Sequence, residues 1–216
     1  MRGDTIIVEE HHRRAAAEIT PRLAEQIKAA PGKYTITVAG ESGSGKSETA
    51  TAIAEALAAD GIECVILQQD DYFVYPPKSN DAERRKNISW VGPQEVRVDL
   101  LSEHMKAFLD GGSGVDKPLV DYATDSIGEE HLAFGSARVA IAEGTYTSLI
   151  DHIDTRVFIA RDFEQTRAHR EKRKRDAAEL DPFIDQVLEI EHEIISSHRA
   201  RADIVINADY SVSFDG

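Results

Sequence analysis

Apolar residues in this chain fall in short unbroken runs, separated by longer polar segments with helical spacing. The runs "YTITVAG" (34–40), "ECVILQQD" (63–70), "VAIAEGTY" (139–146), "TRVFIA" (155–160) and "DIVINA" (203–208) are rich in β-branched residues. Runs of this length and composition predict strands covered on both faces. Between the first two lies "SETATAIAEALAAD", with apolar residues at Ala50, Ile53, Ala54 and Leu57 and Gly61 just beyond, which predicts a helix with a glycine stop. "VRVDLLSEHMKAFLDGG" predicts a second helix closed by glycines, and "DGGSG" at 110–114 reads as loop. Residues 75–94, with Pro76, Pro77, Gly92 and Pro93, read as loop around a short helix. Residues 9–30 are Ala-, Glu- and Arg-rich and predict a helix that Pro21 would split or kink. Strongly charged helix follows Arg161, with a break expected at Asp181-Pro182. Strands alternating with helices give an α/β class with a mainly parallel sheet and helices on both faces.

One stretch then changes the picture from fold to chemistry. Gly40-Glu41-Ser42-Gly43-Ser44-Gly45-Lys46-Ser47 fits G-x-x-x-x-G-K-[ST], directly after a predicted strand and opening a predicted helix. The glycines let the backbone wrap with its N–H groups inward, and the helix start beyond them, from Lys46 through Glu48, adds unpaired N–H groups and a positive dipole end. Lys46 is placed to reach the β- and γ-phosphates and Ser47 to hold Mg²⁺. The fold expectation narrows to a three-layer P-loop NTPase fold, with residues 1–32 as a helical extension and 33–216 as the kinase domain. No N-K-x-D element is present to read guanine.

Carboxylates sit where such a loop needs them. The second strand ends in Asp70-Asp71, at the sheet edge where ligands of open α/β sheets bind. Asp70 is the candidate base for an attacking hydroxyl. The strand "VAIAE" ends in Glu143, a candidate Mg²⁺ carboxylate. "RDFEQTRAHREKRKRD" reads either as a solvated charged face or as a lid, spanning about 164–185, whose arginines close over the transferring phosphoryl.

The ordered set "GESGSGKS", "QQDDYF", "PLVDYATDS", "VAIAEG", "FIARDFEQTRAHREKRKRD" and "ADIVI" resembles the uridine kinase and phosphoribulokinase group of P-loop kinases over about 34–208. The resemblance implies ATP and Mg²⁺ as cofactors, Asp70 as catalytic acid/base beside Phe73, Glu143 near Mg²⁺, and Arg170, Arg173 and Arg175 as lid arginines. It also implies that the acceptor meets Trp90, Asp121 and Tyr122. The departures fall in the nucleoside-reading parts. Val91 stands where the ribose-binding Asp is expected, with Gly92 at the place of the following His. Val120 and Asp125 stand where a pyrimidine-reading Tyr and His are expected. The expected activity is therefore transfer of a γ-phosphoryl to a hydroxyl of a small polar metabolite through an altered acceptor pocket. A genuine uridine or cytidine kinase and a nucleotide-sensing regulator without transfer remain as alternatives.

Composition sets the outer bounds. In 216 residues, 41% are hydrophobic, 30% are charged and the formal net charge is −14, which argues against nucleic acid as a partner. No apolar run reaches membrane-spanning length, and the first residues lack a secretory pattern, so a cytoplasmic enzyme without membrane partners is expected. Self-association through the first 30 residues stays open. The single cysteine, Cys64, reads as a core thiol, and the eight histidines show no metal-site spacing.

Overall fold

The computed structural model describes residues 1–3, 5–162 and 181–214. The continuous apolar runs form a central sheet of β1 (Tyr34–Gly40), β2 (Cys64–Gln68), β5 (Val139–Glu143), β6 (Thr155–Ile159), β7 (Ile204–Ile206) and β8 (Val212–Phe214), in the order β2-β5-β1-β6-β7-β8. The first five strands run parallel, and β8 pairs antiparallel with β7. A separate antiparallel hairpin joins β3 (Gly114–Asp121) to β4 (Ser126–Ala133).

The period-2 alternation of a strand builds two cores from one sheet. In β5, Val139 and Ile141 face one apolar cluster, and Ala140 and Ala142 face the other. The first cluster is covered by α1 (Glu10–Ala29) and α2 (Lys46–Ala59), the second by α4 (Val98–Leu109) with Ile195 of α5 (Pro182–Ile195). The result is three layers. Helix α3 (Pro77–Lys86) follows the Gln69–Tyr72 turn in the chain.

Four local features differ from the sequence pattern. Helix α1 runs unbroken through Pro21 and buries Ala15, Ile19, Leu23 and Ile27 in the same cluster as β1, so its tertiary packing outweighs the missing N–H. The supposed loop at 110–114 ends inside β3, which begins at Gly114. Strand β8 also escapes the pattern, being only three residues long. The predicted break at Asp181-Pro182 is a helix start: Asp181 accepts the Phe183 N–H at 2.9 Å, and Pro182 takes the first helical position.

Candidate active site

The loop from Gly40 to Ser47 joins β1 to α2, and Gly45 caps the helix with φ +93°. A Cβ at Gly45 would lie 2.8 Å from His12 Nε2, so α1 presses close on this loop and only glycine fits. Lys46 Nζ donates to the Glu41 carbonyl at 2.9 Å. Ser47 Oγ donates to Glu143 Oε1 at 2.9 Å, which brings the two proposed metal-holding groups together. Ser44 Oγ and Thr49 Oγ1 are buried with no hydrogen-bond partner among the described residues. Glu48, in the first turn of α2, is buried.

Glu143 is fully enclosed, and its carboxyl is pushed up to about 7. Burial is the main cause and the charge of Asp70 the second; Lys46 and the Ser47 hydroxyl oppose them. Asp70 therefore stands close enough to Glu143 for their charges to interact. A short helical turn, Gln69–Tyr72, carries Asp70. Gln69 fixes that turn against the Glu143 strand, accepting the Tyr146 N–H on Oε1 at 2.6 Å. A Cβ at Gly144 would fall 2.2 Å from the Gln69 Cβ, so glycine after Glu143 is what allows the two turns to meet.

The raised Glu143 pKa predicts a pH effect on the metal-free protein. A carboxyl whose folded pKa lies above its unfolded value of about 4.5 favours folding below that value and loses the contribution as pH rises through about 7. Urea unfolding of wild type and Glu143→Gln should show the wild type losing stability relative to the variant between pH 4.5 and 7. A pH-independent difference would refute the assignment.

The acidic neighbour, Asp71, has a different task. It is buried, accepts the Val120 N–H at 3.1 Å, and pairs with Lys117 at 2.6 Å; the Met1 amino group lies 3.3 Å away. Lys117, also buried, reaches Glu130 at 2.7 Å. This triad fastens the β3–β4 hairpin to the Asp70 turn. Beside it opens a cavity of about 470 Å³, walled by Ser47, Gln68, Asp71, Lys117, Glu130 and Glu143 with Ile66, Leu119 and Leu132.

A second polar chain runs from α3 to the phosphate loop. Trp90 Nε1 donates to Asn80 at 2.9 Å, Asn80 to Glu95 at 2.8 Å, and Arg84 binds Glu95 and Glu191. Glu191 then accepts from Ser42 Oγ at 3.1 Å. Burial raises the pKa of Glu191, and the carboxylates around Arg84 raise that of its guanidinium against the effect of burial. His192 donates to Glu41 at 2.6 Å, so this histidine of α5 touches the loop.

The remaining expected contacts are placed as follows. Phe73 is half-buried against the second core cluster and bridges to Val96. Trp90 is half-buried, with its ring 5.7 Å from that of Tyr75. Asp121 spends its carboxylate on the N–H groups of Ala123 and Thr124 in the hairpin turn, and these bonds hold its pKa down. Tyr122 follows at that turn, its N–H directed to the Arg2 carbonyl. Neither Asp121 nor Tyr122 lines the cavity. Arg170, Arg173 and Arg175 lie outside the described residues, as does the part of the expected 164–185 lid up to residue 180. Arg84, Glu95, Lys117 and Glu191 carry no motif, and Gln69 and Asp71 lie in the "QQDDYF" stretch without an assigned role. Only the position of Gln69 and Asp71 on either side of Asp70 could have drawn attention to them. The half-buried Cys64 thiol is pushed up to about 12 by desolvation.

A parallel sheet with this loop at its centre and carboxylates at the ends of β2 and β5 defines a P-loop phosphotransferase acting on a hydroxyl. The chain belongs to the phosphoribulokinase / uridine kinase family, whose model matches residues 35–207. It is 30% identical over 182 residues to a uridine kinase of Bacillus cereus, covering 79% of this chain and 84% of the relative. It is 31% identical over 208 residues to the bifunctional α-galactosidase/sucrose kinase AgaSK of Mediterraneibacter gnavus, covering 88% of this chain. The chain spans only 22% of that relative's length. Among solved structures, a D-glycerate 3-kinase from Cryptococcus neoformans shares the fold with a TM-score of 0.62 at 12% identity, covering 96% of this chain and all of that one. No helix among the described residues is long and apolar enough to cross a membrane.

Proposed function

We propose that the protein transfers the γ-phosphoryl of ATP to a hydroxyl of a small uncharged polyhydroxylated metabolite, a sugar or polyol, rather than to a nucleoside. The observation that carries this is the fate of the nucleoside-reading positions. Val91 and Val120 are in the core, and Asp125 is held by the start of α3, accepting from Lys78 N–H, Ser79 N–H and Ser79 Oγ. None of the three presents a group to a ribose or a pyrimidine. A pocket built to hydrogen-bond its polar substrate favours it by about 10⁴-fold in favourable cases, and a site without those groups gives up that preference. The cavity is of ligand size; its buried cation Lys117 is already paired with two carboxylates and Arg2 also lies at its wall, a polar lining in keeping with a hydroxyl-rich acceptor. The sucrose kinase named among the relatives is in keeping with this reading.

The loop residues fit the cofactors. Ser44 and Thr49 offer buried hydroxyls without hydrogen-bond partners among the described residues, and Ser47 with Glu143 offers the hard oxygen donors that Mg²⁺ takes. When bound, the ion neutralises charge on the phosphate oxygens. Lys46 and the loop N–H groups hold the phosphates, Asp70 orients the acceptor and takes its hydroxyl proton, and the arginines at 170, 173 and 175 supply charge stabilisation. Uridine kinase relatives at 30% identity keep a true uridine kinase as the second reading. Acceptor-dependent ADP production across sugars, polyols, hydroxy acids and nucleosides decides between them. Sugars or polyols are expected to lead; uridine or cytidine as best acceptor, or ADP release independent of any acceptor, would overturn the proposal.

A further inference from the structure

The phosphate loop lies in the middle of the sheet order, and the proposed transfer chemistry lies to one side of it. Glu143 and Asp70 mark the ends of β5 and β2. A nucleotide with its γ-phosphate at that corner and its base directed past β1 would bring the base to the ends of β6 and β7. From β5 to β7 is three strand spacings, about 14 Å, within reach of an extended nucleoside triphosphate.

Two side chains wait at those ends. Arg161 follows β6 and Tyr210 follows β7. The Arg161 guanidinium sits 4.9 Å from the centre of the Tyr210 ring and donates to its hydroxyl at 2.5 Å. Helix α1 completes the cluster. His11 lies 4.1 Å from Tyr210, ring to ring, and 4.0 Å from His12, while His12 meets Tyr210 edge-on at 5.3 Å. His12 and Tyr210 are buried, and both approach Gly45 of the phosphate loop. His11 keeps about a third of its side chain exposed. Tyr210 holds this place at φ +63°, a strained conformation for a bulky residue.

We propose that His11, Arg161 and Tyr210 form the nucleobase end of the nucleotide site, with the purine stacked on the half-exposed His11 and flanked by the Arg161 guanidinium. Aromatic rings and arginine planes offer stacking surface to any base. Arg161 lies within the residues matched by the family model, 35–207, but His11 and Tyr210 lie outside them, so family membership does not describe two of the three residues of this base-holding cluster. The inference rests on the reading of the loop as an ATP site, but not on what the acceptor is.

The alternative role for the cluster is to anchor α1 to the core. His11 is the member that separates the two, because its exposed face can be lost without opening the buried pair beneath. The experiment is calorimetric titration of wild type, His11→Ala and His11→Phe with ATP and with inorganic tripolyphosphate, with Mg²⁺ and no acceptor. Stacking on a base is worth about 1–3 kcal/mol by alanine substitution, so His11→Ala should weaken ATP about 5- to 100-fold. Tripolyphosphate affinity should stay within twofold, and His11→Phe should retain ATP binding. An equal loss for both ligands, or no loss for either, overturns the proposal. A protein that binds ATP in this way yet phosphorylates no acceptor would sink the kinase reading and leave this one standing. A protein that binds neither ligand sinks both.

Discussion

Asp70→Asn is expected to lower kcat by about 10²- to 10⁴-fold, the usual contribution of a positioned general base. ATP affinity should hold or tighten, because the substitution removes a negative charge beside the phosphate corner. Asparagine keeps the shape and one hydrogen-bonding oxygen, so the Gln69–Tyr146 bond that fixes the turn is left in place. The variant also has an internal control. Asp70 is the second cause, after burial, of the raised Glu143 pKa, so its neutralisation should bring the Glu143 titration down. Acceptor-dependent turnover, ATP binding and the Glu143 titration are three separate readouts. Turnover within tenfold of wild type would remove Asp70 as base. An unchanged Glu143 titration would mean that the two carboxylates are not neighbours in solution.

Much of this site was legible in the sequence, for a physical reason. A phosphate loop works through backbone N–H groups and glycine conformations, so its residues are contiguous and its strand and helix are local. The carboxylates of β2 and β5 were legible because buried parallel strands are unbroken apolar runs, and a charge at the end of one stands out. The β3–β4 hairpin was not. It packs as an outlying two-stranded ribbon, includes Pro118, and buries Lys117, so its pattern lacks the clean alternation that marks a strand. The Arg84–Glu191 contact joins residues 107 apart, and no local rule foretells it. Asp121 and Asp125 show a subtler failure. Their positions align with acceptor-reading residues, but short acidic side chains next to a turn or a helix start find backbone N–H groups close at hand.

The largest stability effect should come from Lys117, a β3 residue that no sequence pattern marks. Its ammonium is buried between Asp71 and Glu130. Lys117→Met keeps most of the side-chain volume but leaves Asp71 enclosed, with the Val120 N–H and the Met1 amino group as its facing donors. Removing one partner of a buried pair costs about 3–5 kcal/mol, mostly from the uncompensated charge left behind. The exposed pair Lys106–Asp110 is a fitting contrast, because such surface pairs are worth about 0–1 kcal/mol. If the charge is the cause, adding Asp71→Asn to Lys117→Met should recover much of the loss, whereas a packing defect would be made worse. Urea denaturation of the single and double variants measures both terms. The hairpin also walls the cavity, so under the proposed acceptor assignment Lys117→Met should raise the acceptor KM more than the ATP KM. A loss below about 1 kcal/mol in the single variant, or no recovery in the double, would show that the triad is not what holds the hairpin against the Asp70 turn.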